Sequence, residues 1–185
     1  MTAVVAFDLS LTSTGVADRK GTRRIVPKST GVERLAEARN AVLWATHGFV
    51  DAPVWPGCPQ WCVHHPDLVV IEGYSYASGN KAHDVGELGG VVRLALHEAG
   101  IRFEVVAPKT IKTYACNNGG ASKDDMLLAA VRRLGYEGNS KDEADALWLY
   151  ALAMHALGEP IVSVPATHLR ALKALPWAVA TVGAA

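Results

Sequence analysis

Two short apolar runs, each carrying a carboxylate near its end, constrain this chain most. Ala3 to Leu9 reads AVVAFDL, the most hydrophobic stretch of the N-terminal third, and Asp8 interrupts it. Leu68 to Ile71 reads LVVI, a continuous apolar run of the kind that buried parallel strands show, and Glu72 follows it directly. An ionised side chain at such a place loses much of its hydration, so something must compensate it. In open α/β sheets the ends of strands are where ligands bind.

The remaining pattern alternates strand and helix. The turn-prone LTSTG after Asp8 leads into a second short strand and a hairpin-like start, and charged, turn-prone residues fill Asp18 to Ser29. Leu35, Ala38, Val42, Leu43 and Ala45 recur at helical spacing and predict a helix from Val32 to Val50. Further helices are expected over Ala82–Ala99, from Ser122 to near Gly135, and over Lys141–Leu157, with a strand at Phe103–Ala107 and a Gly-rich NNGG loop. Ser140 and Glu143 have capping-box spacing at the start of the last helix, and Gly158 is placed to end it. This order predicts an α/β sandwich around a mixed sheet, antiparallel at the start and parallel later. At 185 residues one domain is expected, spanning 1–158, with an insertion loop at about 52–66 and a C-terminal tail, 159–185, packed on it.

Asp142 and Asp145 lie three apart in the first turn of the last helix, so both can point to one side, where the helix dipole favours their charged forms. Each acid alone has an ordinary explanation as a helix-start or turn residue. If Asp8, Glu72, Asp142 and Asp145 converge, their mutual repulsion needs cations between them. An all-oxygen ligand set suits Mg²⁺ or Mn²⁺ and disfavours zinc, and a pair of such ions can cleave a phosphodiester.

These residues carry a resemblance. Asp8 in AFDLSLTSTG, Glu72 in VVIEGYSYA and Asp142/Asp145 in KDEADALWLYALA resemble the RuvC family of Holliday-junction resolvases in order and context, over nearly the whole chain to about Leu157. The resemblance implies an RNase H-like fold with a five-stranded mixed sheet, a homodimer, two Mg²⁺ ions per active site with Mn²⁺ as a substitute, and paired nicks in four-way junctions. It also implies a role near the scissile phosphate for Lys123 and backbone contact for Lys112, both in IKTYACNNGGASK. Tyr74 or Tyr76 stands where the family can carry an aromatic that wedges into the junction. The segment APVWPGCPQWCVHHP departs from the bacterial cellular pattern and suggests a phage or actinobacterial branch.

Other features bear on partners. Eighteen basic residues balance eighteen acidic ones, so a DNA-binding face must come from local segregation. Between Arg102 and Arg133, Lys109, Lys112, Lys123 and Arg132 contribute to a positive excess; Arg19, Lys20, Arg23, Arg24 and Lys28 form a second basic run. The helix HDVGELGGVVRLALHEAG carries apolar residues on two sides and small ones at Gly86, Gly89 and Gly90, as a two-fold helix contact would require. Cys58, Cys62, His64 and His65 offer a structural zinc site in one loop, and Cys116 reads as an ordinary thiol. No run reaches the ~18 apolar residues of a membrane span. MTAVVAFDLS lacks a signal peptide's basic start, so a cytoplasmic protein is expected. Competing readings are a non-catalytic branched-DNA-binding protein, a nuclease of RNA–DNA hybrids or flaps, and an actin-like ATPase or kinase fragment suggested by DLSLTSTG.

Overall fold

A computed structural model describes residues 2–47, 65–73 and 81–179. Its centre is a five-stranded sheet in the order β3-β2-β1-β4-β5. Strands β1 (Val4–Asp8), β2 (Thr14–Asp18) and β3 (Gly21–Ile25) form an antiparallel meander, while β4 (Leu68–Glu72) and β5 (Phe103–Val106) run parallel to β1. The antiparallel start and the parallel continuation are as the sequence pattern implies. Strand β3 lies inside the stretch read as turn-prone. Its GTRRI has no apolar alternation because it is an edge strand, paired only to β2.

Side-chain alternation divides the core into two layers. Val5 and Phe7 of β1, with Val69 and Ile71 of β4, point toward helices α1 (Gly31–His47) and α2 (Lys81–Glu98) and pack with Val42, Leu88, Val92 and Leu96. Val4 and Ala6, with Leu68 and Val70, point to the opposite layer, built from α3 (Pro108–Cys116), α4 (Lys123–Leu134) and α5 (Lys141–Ala156). Helix α5 is apolar almost all round and lies across β1, β2 and β4, which fits a helix covered on every side. Trp148 of α5 is fully buried, donates Nε1–H to the Met126 carbonyl at 3.1 Å, and meets Tyr114 edge-on at 5.9 Å. Burying one such aromatic contributes roughly 2–3 kcal/mol, so this layer can hold polar groups in an unfavourable arrangement nearby.

Helix α3 occupies the stretch between the expected strand and the NNGG loop. Pro108 opens it at a position where its missing N–H costs nothing, and Asn117 ends it in the left-handed region at φ 56°. Helix α4 begins with a complete capping box between Ser122 and Asp125 and ends at Gly135, φ 64°. The expected capping box of α5 is only half made. Ser140 Oγ accepts from the Glu143 N–H at 3.3 Å, but the Glu143 carboxylate turns away to other partners. Beyond α5 the tail forms a 3-10 segment, Ala166–Ala174, packed on α3, where the Arg170 guanidinium donates to the Asn117 carbonyl at 2.8 Å. Among the described residues no helix is long and apolar enough to cross a membrane.

Candidate active site

The alternation that sorts the core also aims the acids. Asp8 continues the Val4–Ala6 face and Glu72 continues the Leu68–Val70 face, so both strand-end carboxylates point into the α5 layer. The ladder pairs Phe7 with Ile71, which sets Asp8 level with Glu72 on the neighbouring strand. Helix α5 then starts directly above them. Gly15, opposite Asp8 in the hairpin, makes that approach possible, because a Cβ there would overlap the backbone carbonyl of Asp142.

Carboxylate oxygens of Asp8, Glu72 and Asp145 consequently lie within 4.8 Å of one another. Asp142 joins through Lys123, the first residue of α4. The Lys123 ammonium donates to Asp142 Oδ1 at 3.0 Å and lies 3.4 Å from Asp145 Oδ2 and 3.7 Å from Asp8 Oδ2. All five residues expected at the site from sequence are therefore together. Two oxygens are conspicuous: Asp8 Oδ2 and Asp145 Oδ1 are buried and have no hydrogen-bond partner among the described residues.

The electrostatics follow from this packing. Burial pushes the Asp8 carboxyl from 3.8 up to about 7; Lys123 pulls it down, while Asp145 and Asp142 push it up. Burial likewise raises Glu72 well above its ordinary 4.5, with Asp8 adding to the effect, and raises Asp145 against the opposing pull of Lys123. Lys123 loses hydration, which lowers its affinity for a proton, but Asp8, the hydrogen bond to Asp142, and Asp145 outweigh this and hold it charged. The cluster binds protons too tightly for ordinary carboxylates, as a set of anions poised for a cation would. Buried oxygens with no hydrogen-bond partner among the described residues and an all-oxygen donor set fit a hard divalent ion.

The other expected residues are distributed differently. Lys112 on α3 is near enough to bear on Asp145, and the stem of Lys109 lies over Gly119 in the turn after α3. Arg132 does not join the acids; it lines a separate cavity with Arg133. Tyr74 and Tyr76 lie outside the described residues, as do Cys58, Cys62 and His64 of the zinc reading, while His65 is described and exposed. The second basic run is partly neutralised within the chain: Arg23 pairs with Asp18 at 2.6 Å and Arg24 with Glu143 at 3.5 Å.

Two residues to which the sequence reading gave no part in the site bear on its placement. One is Gly15. The other is Glu143, whose carboxylate accepts from Thr22 Oγ1 at 2.8 Å and from the Tyr136 hydroxyl at 3.3 Å, tying the start of α5 to strand β3. Helical spacing beside Asp142 was visible, but nothing in the chain marks a partner 121 positions away.

No family model matches the chain. A protein of Anaeromyxobacter sp. (strain Fw109-5), named crossover junction endodeoxyribonuclease RuvC, is 32% identical over 168 residues, covering 85% of this chain and 78% of that protein. The protein of that name from Anaeromyxobacter sp. (strain K) is 38% identical over 93 residues, 50% of this chain and 49% of that protein, so the chain spans about half the length of several curated relatives it matches. The fold is similar to that of Thermus thermophilus RuvC, with a TM-score of 0.57 at 22% identity over 80% of this chain and 90% of that one. The same protein in complex with a Holliday junction substrate gives a TM-score of 0.58 at 22% identity with the same coverage. With the sheet order, the acidic cluster and a relative of this identity spanning most of both sequences in agreement, the chain belongs to the RuvC crossover junction endodeoxyribonuclease family.

Proposed function

We propose that this protein is an Mg²⁺-dependent endonuclease that resolves four-way DNA junctions by paired nicks. The observation that carries the reading is the convergence of Asp8, Glu72, Asp142 and Asp145 around Lys123, with two buried oxygens that have no hydrogen-bond partner among the described residues. Asp8, Glu72 and Asp145 would hold the metal with help from Asp142, and the family resemblance favours a pair of ions with Mn²⁺ as a substitute. When bound, such ions supply an activated water and charge stabilisation for the leaving oxygen.

The chain's own residues do the rest. The strand ends fix Asp8 and Glu72 in position, and the start of α5 presents a half-buried Asp142 and a buried Asp145. Lys123 keeps its proton throughout the neutral range and brings a point charge to the place where a phosphate oxygen becomes more negative. Lys112 and Lys109 are assigned to the DNA backbone. Tyr74 or Tyr76 is assigned to stacking on exposed bases at the branch point.

Paired nicks need paired active sites, hence a homodimer. Helix α2 supports this: Leu94 is 57% exposed, and a Cβ placed at Gly86, Gly89 or Gly90 would meet nothing within 4 Å among the described residues. That surface lets a second helix approach closely. Residues 1–158 are taken as the nuclease domain, with the tail packed on it.

The test is incubation with labelled four-way junction, Y-junction, linear duplex and RNA–DNA hybrid, each with Mg²⁺ or with chelator. Symmetric nicks confined to the four-way junction and dependent on Mg²⁺ are expected. Preferential cutting of the hybrid or the linear duplex would contradict the assignment.

A further inference from the structure

Between α3, the outer face of α4 and the 3-10 segment lies a cavity of about 210 Å³ that the acidic cluster does not use. Arg132 and Arg133 stand at its rim, exposed, and neither makes an ion pair among the described residues. Asp125 also lines the cavity, but its Oδ2 is turned to the Ser122 N–H at 2.9 Å and the Ser122 hydroxyl at 2.8 Å, and it forms no ion pair with either arginine among the described residues. Ala129 and Leu128 give it an apolar side. The His168 ring is buried, its Nδ1 donating to the Tyr114 carbonyl at 2.7 Å.

Helix α3 links the cavity to the neighbourhood of the acidic site. Lys109, Lys112 and Cys116 follow at helical spacing on one face of that helix, and Cys116 lines the cavity. Burial pushes the Cys116 thiol up, and Asp125, Arg133, Asp145 and Lys112 are all near enough to bear on it. Basic side chains thus run from beside Asp145 to a recess whose two guanidiniums make no ion pair among the described residues. Guanidinium forks bind phosphate bidentately, and an apolar wall beside them suits a deoxyribose face.

We propose that this cavity is a second DNA subsite, which grips a backbone phosphodiester of the strand that passes the acidic cluster, with Arg132 and Arg133 as its ligands. The inference rests on the nuclease reading but adds a site away from the chemistry. Its test is equilibrium binding of labelled four-way junction by wild type, Arg132→Ala, Arg133→Ala and the double variant across a salt series, together with the single-turnover cleavage rate at saturating junction and the melting temperature. Each lost phosphate contact should reduce the slope of log affinity against log salt by about 0.9, with Arg132→Lys restoring it. The melting temperature should stay at the wild-type value, since both side chains are exposed. Variants that match the wild-type affinity and salt slope, while wild type binds and cuts the junction, would overturn the subsite and leave the nuclease reading standing. Wild type that neither binds nor cuts the junction would overturn both.

Discussion

Asp8→Asn should leave the fold intact and lower junction cleavage by at least ~1000-fold, a loss of about 4 kcal/mol of transition-state stabilisation. The substitution is isosteric, so the buried end of β1 has no cavity to refill. What changes is the donor set. An amide removes a negative charge from the point where Asp8, Glu72 and Asp145 approach within 4.8 Å, and its NH₂ group cannot serve a hard cation. It also takes away one of the three carboxylates that hold the Lys123 ammonium in the cluster. Single-turnover cleavage measured beside a melting curve separates the two effects. A variant that melts like wild type and cuts within tenfold of it would show that Asp8 is not part of the chemistry.

The second large effect is on stability and runs opposite to the usual acid denaturation. Burial raises Asp8 from 3.8 to about 7 and Glu72 well above 4.5, so the folded chain holds these protons more tightly than the unfolded chain does. Stability from this source is fully present below pH 3.8 and is lost as pH rises toward 7, because above that both states are deprotonated and the folded one carries the crowded anions. For Asp8 alone the shift corresponds to roughly 4 kcal/mol, or on the order of 10 °C in melting temperature for a domain of this size. In chelator, the melting temperature should therefore fall between pH 5 and pH 8. Mg²⁺ should restore it far more at pH 8 than at pH 5, since only the deprotonated cluster binds the ion. Asp8→Asn should flatten the fall. Differential scanning calorimetry with and without Mg²⁺ reads all of these, and a metal-free melting temperature that rises across the same interval would contradict the account.

Much of the site was legible because its signal is a conflict between neighbours in the chain. Carboxylates at the ends of AVVAF and LVVI are costly wherever those runs are buried, and a pair three apart at a helix start has one direction to point. Strand alternation then predicts that Asp8 shares a face with Val4 and Ala6, and the structure turns that same face toward α5. What stayed hidden has no local conflict to reveal it. Strand β3 is charged because only one of its edges is paired, and α3 is nine residues long and opens on a proline that reads as a breaker. The 3-10 segment lacks the 3.6-residue period on which sequence reading depends. Gly15 and the contacts of Glu143 concern how closely α5 sits on the sheet, and that distance is set by packing between segments more than a hundred residues apart.

The claim beneath all of this is that acids from β1, β4 and α5 together form one divalent-cation site. Diffraction from crystals soaked in Mn²⁺, with data collected at the manganese absorption edge, tests it most directly. The account predicts an anomalous peak about 2.2 Å from oxygens of Asp8, Glu72 and Asp145, lost in Asp8→Asn crystals. A peak elsewhere on the surface, or no peak while these carboxylates remain clustered around Lys123, would contradict it.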